Sequence, residues 1–243
     1  VKILTAILFL SLCLNFLPAK AQEVHFALNH WPPFGLTEGD QEAGIDIDIG
    51  REIAKRMQFT LNVRKCPFKR CLTEMEVGLL DLQAGIARNE ERAKYMHYAE
   101  TPYHHVSVVF HVRKGEGERL TRYEDLRGLR IGAVAKSHYF DPFNHDENLI
   151  KIEVPEEKQL PAMLAAGRID TYVGTNPNAS YDVLTRGFKD RLELAPYQPE
   201  ADVPVYFAIS RKSPLISRID ELNQVIISLH EEGVIEEIVA KYR

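Results

Sequence analysis

The sequence predicts an α/β protein made of two small units joined by two long strand-like crossings. Three observations carry this reading. Short apolar runs of strand character alternate with segments of helical period along most of the chain. Two β-branched runs, 106–112 and 203–210, punctuate that alternation as crossings between the units. The stretch Ser213 to Arg243 has helical period, with Ile216, Ile219, Leu222, Val225 and Ile226 on one stripe, and returns to the first unit.

Residues Lys2 to Ala21 read as a secretory leader. One positive charge precedes an apolar run from Ile3 to Leu17, Pro18 breaks the run, and Ala19-Lys20-Ala21 supplies the small-x-small cleavage pattern. The run is short for a bilayer span. Cys13 does not fit a lipoprotein site, because Leu12 stands where a small residue is needed. The leader carries two Lys and no acid, so the chain from Gln22 onward has 28 basic against 35 acidic residues, a net charge of −7. That balance argues against a nucleic-acid partner.

Val24 to Leu28 reads as a strand, followed by a turn-rich aromatic stretch from Asn29 to Phe34. In 44–57 Ile45, Ile49, Ile53 and Met57 recur every four residues, which predicts a helix with Asp46 and Asp48 near its positive end. Leu61 to Val63 is a strand, Pro67 to Val77 a helix stopped by Gly78, and Leu80 to Ala84 a strand entering a polar loop, Gly85 to Glu91. In the second unit Arg130 to Val134, Ile150 to Val154 and Ile169 to Val173 are strands, and Lys158 to Gly167 a helix. The implied organisation is a leader over 1–21, a first lobe over 22–107 plus 207–243, and a second over 108–206.

Export makes a disulfide the simplest reading of Cys66 and Cys71. Positions five apart on a regular helix face apart, so a bridge requires Cys66 to precede the helix, with Pro67 at its first position. The spacing is not that of a redox pair, and no nearby His completes a metal site. His104 and His105, adjacent on a strand, point to opposite faces and are read as structural.

Seven elements then stand in a recognisable order: Trp31-Pro32-Pro33-Phe34; Gly44-Ile45-Asp46-Ile47-Asp48; Gly78-x-x-Asp81 with Ala84-Gly85-Ile86 and Glu91-Arg92; Thr101-Pro102-Tyr103; Leu126 to Gly132; Gly167-Arg168-Ile169-Asp170; and Gly233 with Lys241-Tyr242. In these the chain resembles the periplasmic solute-binding proteins of the polar amino-acid type, which serve ABC importers. The resemblance implies a two-lobed α/β fold of the periplasmic-binding-protein type II class. It also implies a ligand between the lobes, hinge closure, a monomer, and neither cofactor nor metal. By the same resemblance Trp31 stacks on the ligand, Phe68 forms a second apolar wall, Gly85 belongs to the site loop, and Arg92 holds a carboxylate, for which its planar fork of donors suits two oxygens. Ser137 and His138 stand in a polar turn before a helix whose N–H groups, with the Ser137 hydroxyl, suit an anion.

Some positions depart from the pattern. Thr175 stands where α-amino-acid binders place an Asp for the ammonium group, Ala87 replaces a usual Ser or Thr, Lys136 replaces a usual Gly, and Arg88 adds a cation near Arg92. These changes imply a positive pocket, hence an anionic ligand or one held by a different ammonium contact. Two other readings share the fold: a cyclohexadienyl dehydratase-like enzyme, for which no proton donor stands out in the sequence, and a receptor feeding a membrane sensor instead of an importer.

Overall fold

The computed structural model describes residues 21–242. The leader expected over Lys2 to Ala21 lies outside them, apart from its last residue. Among the described residues no helix is long and apolar enough to cross a membrane.

The first unit opens with β1 (Glu23–Leu28), which pairs in parallel with β2 (Thr60–Lys65) on one side and β3 (Leu82–Ile86) on the other. Between these strands run α1 (Ile45–Arg56) and α2 (Phe68–Val77). The four-residue period of α1 appears as Ile45, Ile49 and Ile53 buried against Phe26 in one core. Gly78 takes a left-handed conformation (φ 83°) and ends α2 where the sequence places the stop. The polar loop expected after β3 instead contains a short helix, α3 (Glu90–Ala93), followed by β4 (Met96–Tyr98). Its start is fixed locally, because the Asn89 side chain accepts a hydrogen bond from the Arg92 N–H at 2.8 Å.

The first crossing is β5 (His104–Arg113). The second unit then builds β6 (Arg130–Val134) in parallel with β7 (Ile150–Val154) and with β8 (Thr171–Asn176). Helix α4 (Leu160–Ala165) follows a 3-10 turn, Glu157–Gln159, and α5 (Asn178–Thr185) follows β8. Strand β9 (Leu192–Leu194) pairs with β5, and β10 (Asp202–Ser210) is the second crossing. The two crossings pair antiparallel through their inner halves, Asp202 to Val205 against Ser107 to His104. The outer half of β10 joins β3 and β4, while β5 continues onto β8 and β9. The strand order is therefore β2-β1-β3-β10-β5-β8-β6-β7.

Helices α6 (Ile219–Glu231) and α7 (Val234–Ala240) pack Leu222, Ile226, Leu229, Ile235 and Ile238 into the core of β1 and α1. The Tyr242 hydroxyl donates to Asp48 at 2.9 Å, and Arg56 pairs with Glu232 at 2.6 Å. The chain end thus packs on the core of β1 and α1.

Cys66 and Cys71 are bridged, with Cα atoms 5.5 Å apart. Cys66 precedes α2 as the geometry requires, and Pro67, predicted as the first helical residue, is instead the cap, so that the helix begins one residue later at Phe68.

Candidate functional site

In both units the parallel strands point their C-terminal ends toward the gap between them, which is where open α/β sheets present their loops. One cavity lies there. Lobe-one residues reach it from the ends of β1 (Asn29, His30, Trp31), β2 (Pro67, Phe68) and β3 (Gly85, Ala87, Arg92). Lobe-two residues reach it from the ends of β6 (Ser137, His138, Tyr139), β7 (Pro155, Glu156, Glu157) and β8 (Thr175). Val106, Val203 and Val205 of the crossings line it as well. All seven residues named from the sequence (Trp31, Phe68, Gly85, Arg92, Ser137, His138 and Thr175) lie on this one cavity.

Trp31 stacks on Phe34, with ring centroids 4.2 Å apart. Gly85 makes this possible: it sits at φ 69°, and a Cβ there would stand 2.9 Å from the Trp31 ring and 3.0 Å from Asp46 Oδ2. Phe68 begins α2 directly after the Cys66–Pro67 corner, and the Arg92 guanidinium lies 5.3 Å from its ring centroid. Arg92 is 3% exposed. It donates from Nη1 to the Ala87 carbonyl at 2.8 Å and from Nη2 to the Lys136 carbonyl at 2.7 Å. No carboxylate pairs with it among the described residues, and burial pulls its pKa down. A buried guanidinium held by carbonyls, with Tyr98 and the Phe68 ring beside it, has five donors and a charge that no paired carboxylate balances.

Direct contacts close the lobes on each other. The Trp31 indole N–H donates to the Thr175 hydroxyl at 3.0 Å. Arg92 reaches Lys136 across the gap. Arg186 joins Glu38 and lies 3.3 Å from His30 Nε2, while its Nε bonds Asp182 at 3.0 Å. The cavity between these contacts is about 70 Å³, room for a handful of waters.

Three expectations change. No helix follows Ser137. The chain runs through turns, with the Tyr139 N–H on Asn144 Oδ1 at 2.8 Å and Pro142 lacking an N–H to continue a helix. Ser137 and His138 therefore line the cavity without a helix terminus behind them, and burial followed by the charge of Arg92 lowers the His138 pKa. Second, the expected extra cations turn away. Arg88 lies 4.8 Å from the Tyr206 ring centroid and donates to the Ala99 carbonyl, and the Lys136 amine reaches Glu91 at 3.5 Å over a neighbouring groove. Third, the sequence reading missed Glu156 and Glu157. The signal was positional, since they directly follow a predicted strand of the second unit.

The model of the bacterial extracellular solute-binding proteins, family 3, matches residues 25–243. The chain belongs to that family. The ABC transporter arginine-binding protein 1 of Escherichia coli (strain K12) is 22% identical over 234 residues, covering 92% of each protein. A solved ancestral arginine-binding protein bound to arginine superposes with a TM-score of 0.80 at 21% identity, over 92% of this chain and 99% of that one. A histidine kinase sensor domain does so at 0.78 and 19% identity, over 92% and 96%. At such identities the two structures establish for this family 3 protein the two-lobed fold alone.

Proposed function

We propose that this protein is an exported receptor that captures a small carboxylate-bearing solute, an amino acid or a related organic acid, by closure of its two lobes. Trp31 and Phe68 act as apolar walls, and Arg92 holds the carboxylate. The loaded, closed form is then delivered to the membrane subunits of an ABC importer. The leader over 1–21 directs export, and the lobes divide as 22–107 with 207–243 against 108–206. The single observation that carries the reading is Arg92: buried, charged, facing the cavity and lacking an acid partner among the described residues. Burying such a charge costs stability unless an anion completes it. The family and its amino-acid-binding relatives support the solute class. Titration of the protein with L-arginine, L-glutamine and L-glutamate, read through its one tryptophan, Trp31, tests it. Saturable binding of at least one, weakened by Arg92→Lys, supports the reading.

A dehydratase-like reading has one observation in its favour. Burial and the neighbouring Asp182 charge raise the pKa of Glu157 well above the carboxylate range, so a proton donor does face the cavity. Turnover of prephenate that Glu157→Gln abolishes would favour it.

A further inference from the structure

Thr175 stands where the resemblance implies an acid for an ammonium group, yet the lobe-two wall is not short of acid. Glu157, 7% exposed, lines the cavity, and no ion pair neutralises it among the described residues. Its Oε1 has no hydrogen-bond partner. Behind it stand Asp182, 1% exposed, and Asn178, fully buried. Asp182 Oδ2 and both polar atoms of the Asn178 amide are also without partners, as is the Tyr172 hydroxyl. Buried polar atoms are paired in all but a few places, so this many orphans on one wall call for a missing partner. The neighbouring cations are committed elsewhere: Arg186 bonds Asp182 Oδ1 and Glu38, and His30 lies 3.8 Å from Asp182 Oδ1. Among the described residues, Glu157 is the buried acid that combines an unpaired carboxylate oxygen with a place on the cavity.

We propose that Glu157, backed by Asp182 and Asn178, receives the cationic group of the solute, so that the site selects molecules carrying both a carboxylate and an ammonium or similar cation over dicarboxylates. This rests on the reading of Arg92 as the carboxylate partner. It reverses the charge expected of the pocket: one cation on the lobe-one wall faces one buried acid on the lobe-two wall, the arrangement that matches a zwitterion.

A proton accompanies the exchange. Glu157 is held protonated by burial and by Asp182. A ligand cation beside it favours the carboxylate, so the proton leaves to solvent on binding. Affinity therefore rises with pH, by up to about tenfold per unit, over the range in which free Glu157 keeps its proton. The other titratable or charged groups around it are Asp182, Tyr172 and Tyr139, with Glu156, His138 and Arg92 on the same cavity and His30 and Arg186 behind Asp182.

The test has two arms. Without solute, Glu157→Gln should unfold at a higher temperature than wild type at pH 8, since it removes a buried acid that the fold alone leaves unpaired. A less stable variant makes Glu157 structural and overturns the proposal. With solute, calorimetric titrations of wild type, Glu157→Gln and Arg92→Lys use L-arginine, L-glutamine, L-glutamate and glutarate, which is glutamate without its amino group. The expected result is binding of an amino acid and not of glutarate, a loss of at least tenfold in Glu157→Gln, and loss of the pH dependence with it. Glutarate binding more tightly than every amino acid, or unchanged affinity and pH dependence in Glu157→Gln, overturns it. If Arg92→Lys weakens binding and Glu157→Gln does not, this assignment fails alone. If none of the four binds, the carboxylate reading falls and this one with it.

Discussion

The two walls of the cleft are built on opposite terms. The lobe-one wall is apolar and anchored: Trp31 stacks on Phe34, Phe68 sits beside a disulfide, and the Arg92 guanidinium is held by the Ala87 carbonyl of its own lobe and by the Lys136 carbonyl across the gap. The lobe-two wall is polar and incompletely satisfied, with Glu157 and Asn178 retaining free hydrogen-bonding atoms. The lesson is sharpest in two buried carboxyls. Asp46, under Gly85, receives the Tyr103 hydroxyl, and burial raises its pKa to about 7. Glu157 meets a similar environment on the other wall with one oxygen unpaired. The fold completes the first group by itself and leaves the second open to the cavity. One wall is largely completed by the fold, and the other keeps unpaired polar atoms even with the lobes in contact.

The contrast breaks most visibly at Arg92. Replacement by Lys keeps the charge and loses the planar fork, so affinity for a carboxylate solute should fall ten- to hundredfold, or about 1.5–3 kcal/mol, by calorimetry. Removing the anchor of the same wall with Cys66→Ser and Cys71→Ser should cost about 2 kcal/mol of stability in denaturant unfolding and weaken binding through Phe68.

Asp46 gives a pH test. From its ordinary 3.8 up to about 7 the folded chain holds this proton more tightly than the unfolded chain does. Stability therefore falls as pH rises through that window. Asp46→Asn should remove its part of the slope and stabilise the protein at pH 8 by on the order of 1 kcal/mol, while leaving the pH dependence of binding intact. Thr175→Val should lower affinity roughly fivefold, about 1 kcal/mol, by deleting the Trp31 contact across the cleft. The smallest effect belongs to Glu38→Gln. Its pair with Arg186 bridges the lobes outside the cavity, so its loss should weaken binding about twofold and reduce the salt sensitivity of closure.

The lobe-one wall was legible through the resemblance: Trp31 beside two prolines, Gly85 in the loop after a strand-like run, and Arg92 after Glu91 stand in ordered motifs. The strands Arg130–Val134 and Ile150–Val154 fall where apolar runs place them. Much of the lobe-two wall was not legible. Helix Asn178–Thr185 follows Asn176-Pro177 and is rich in weak helix formers, so tertiary packing decides it, and it carries Asp182. Glu157 sits in a charged run that reads as solvated surface until the fold buries it. Lys136 and Arg88 suggest a cationic pocket in sequence, but side-chain direction sends both away from it.

The most direct measurement is the paired titration of wild type and Arg92→Lys with L-arginine, L-glutamine and L-glutamate, followed by Trp31 fluorescence and calorimetry. The account predicts one-to-one binding of at least one of the three to wild type and at least a tenfold loss in the variant. Equal affinity in the two proteins, or no binding of any of the three, would contradict it.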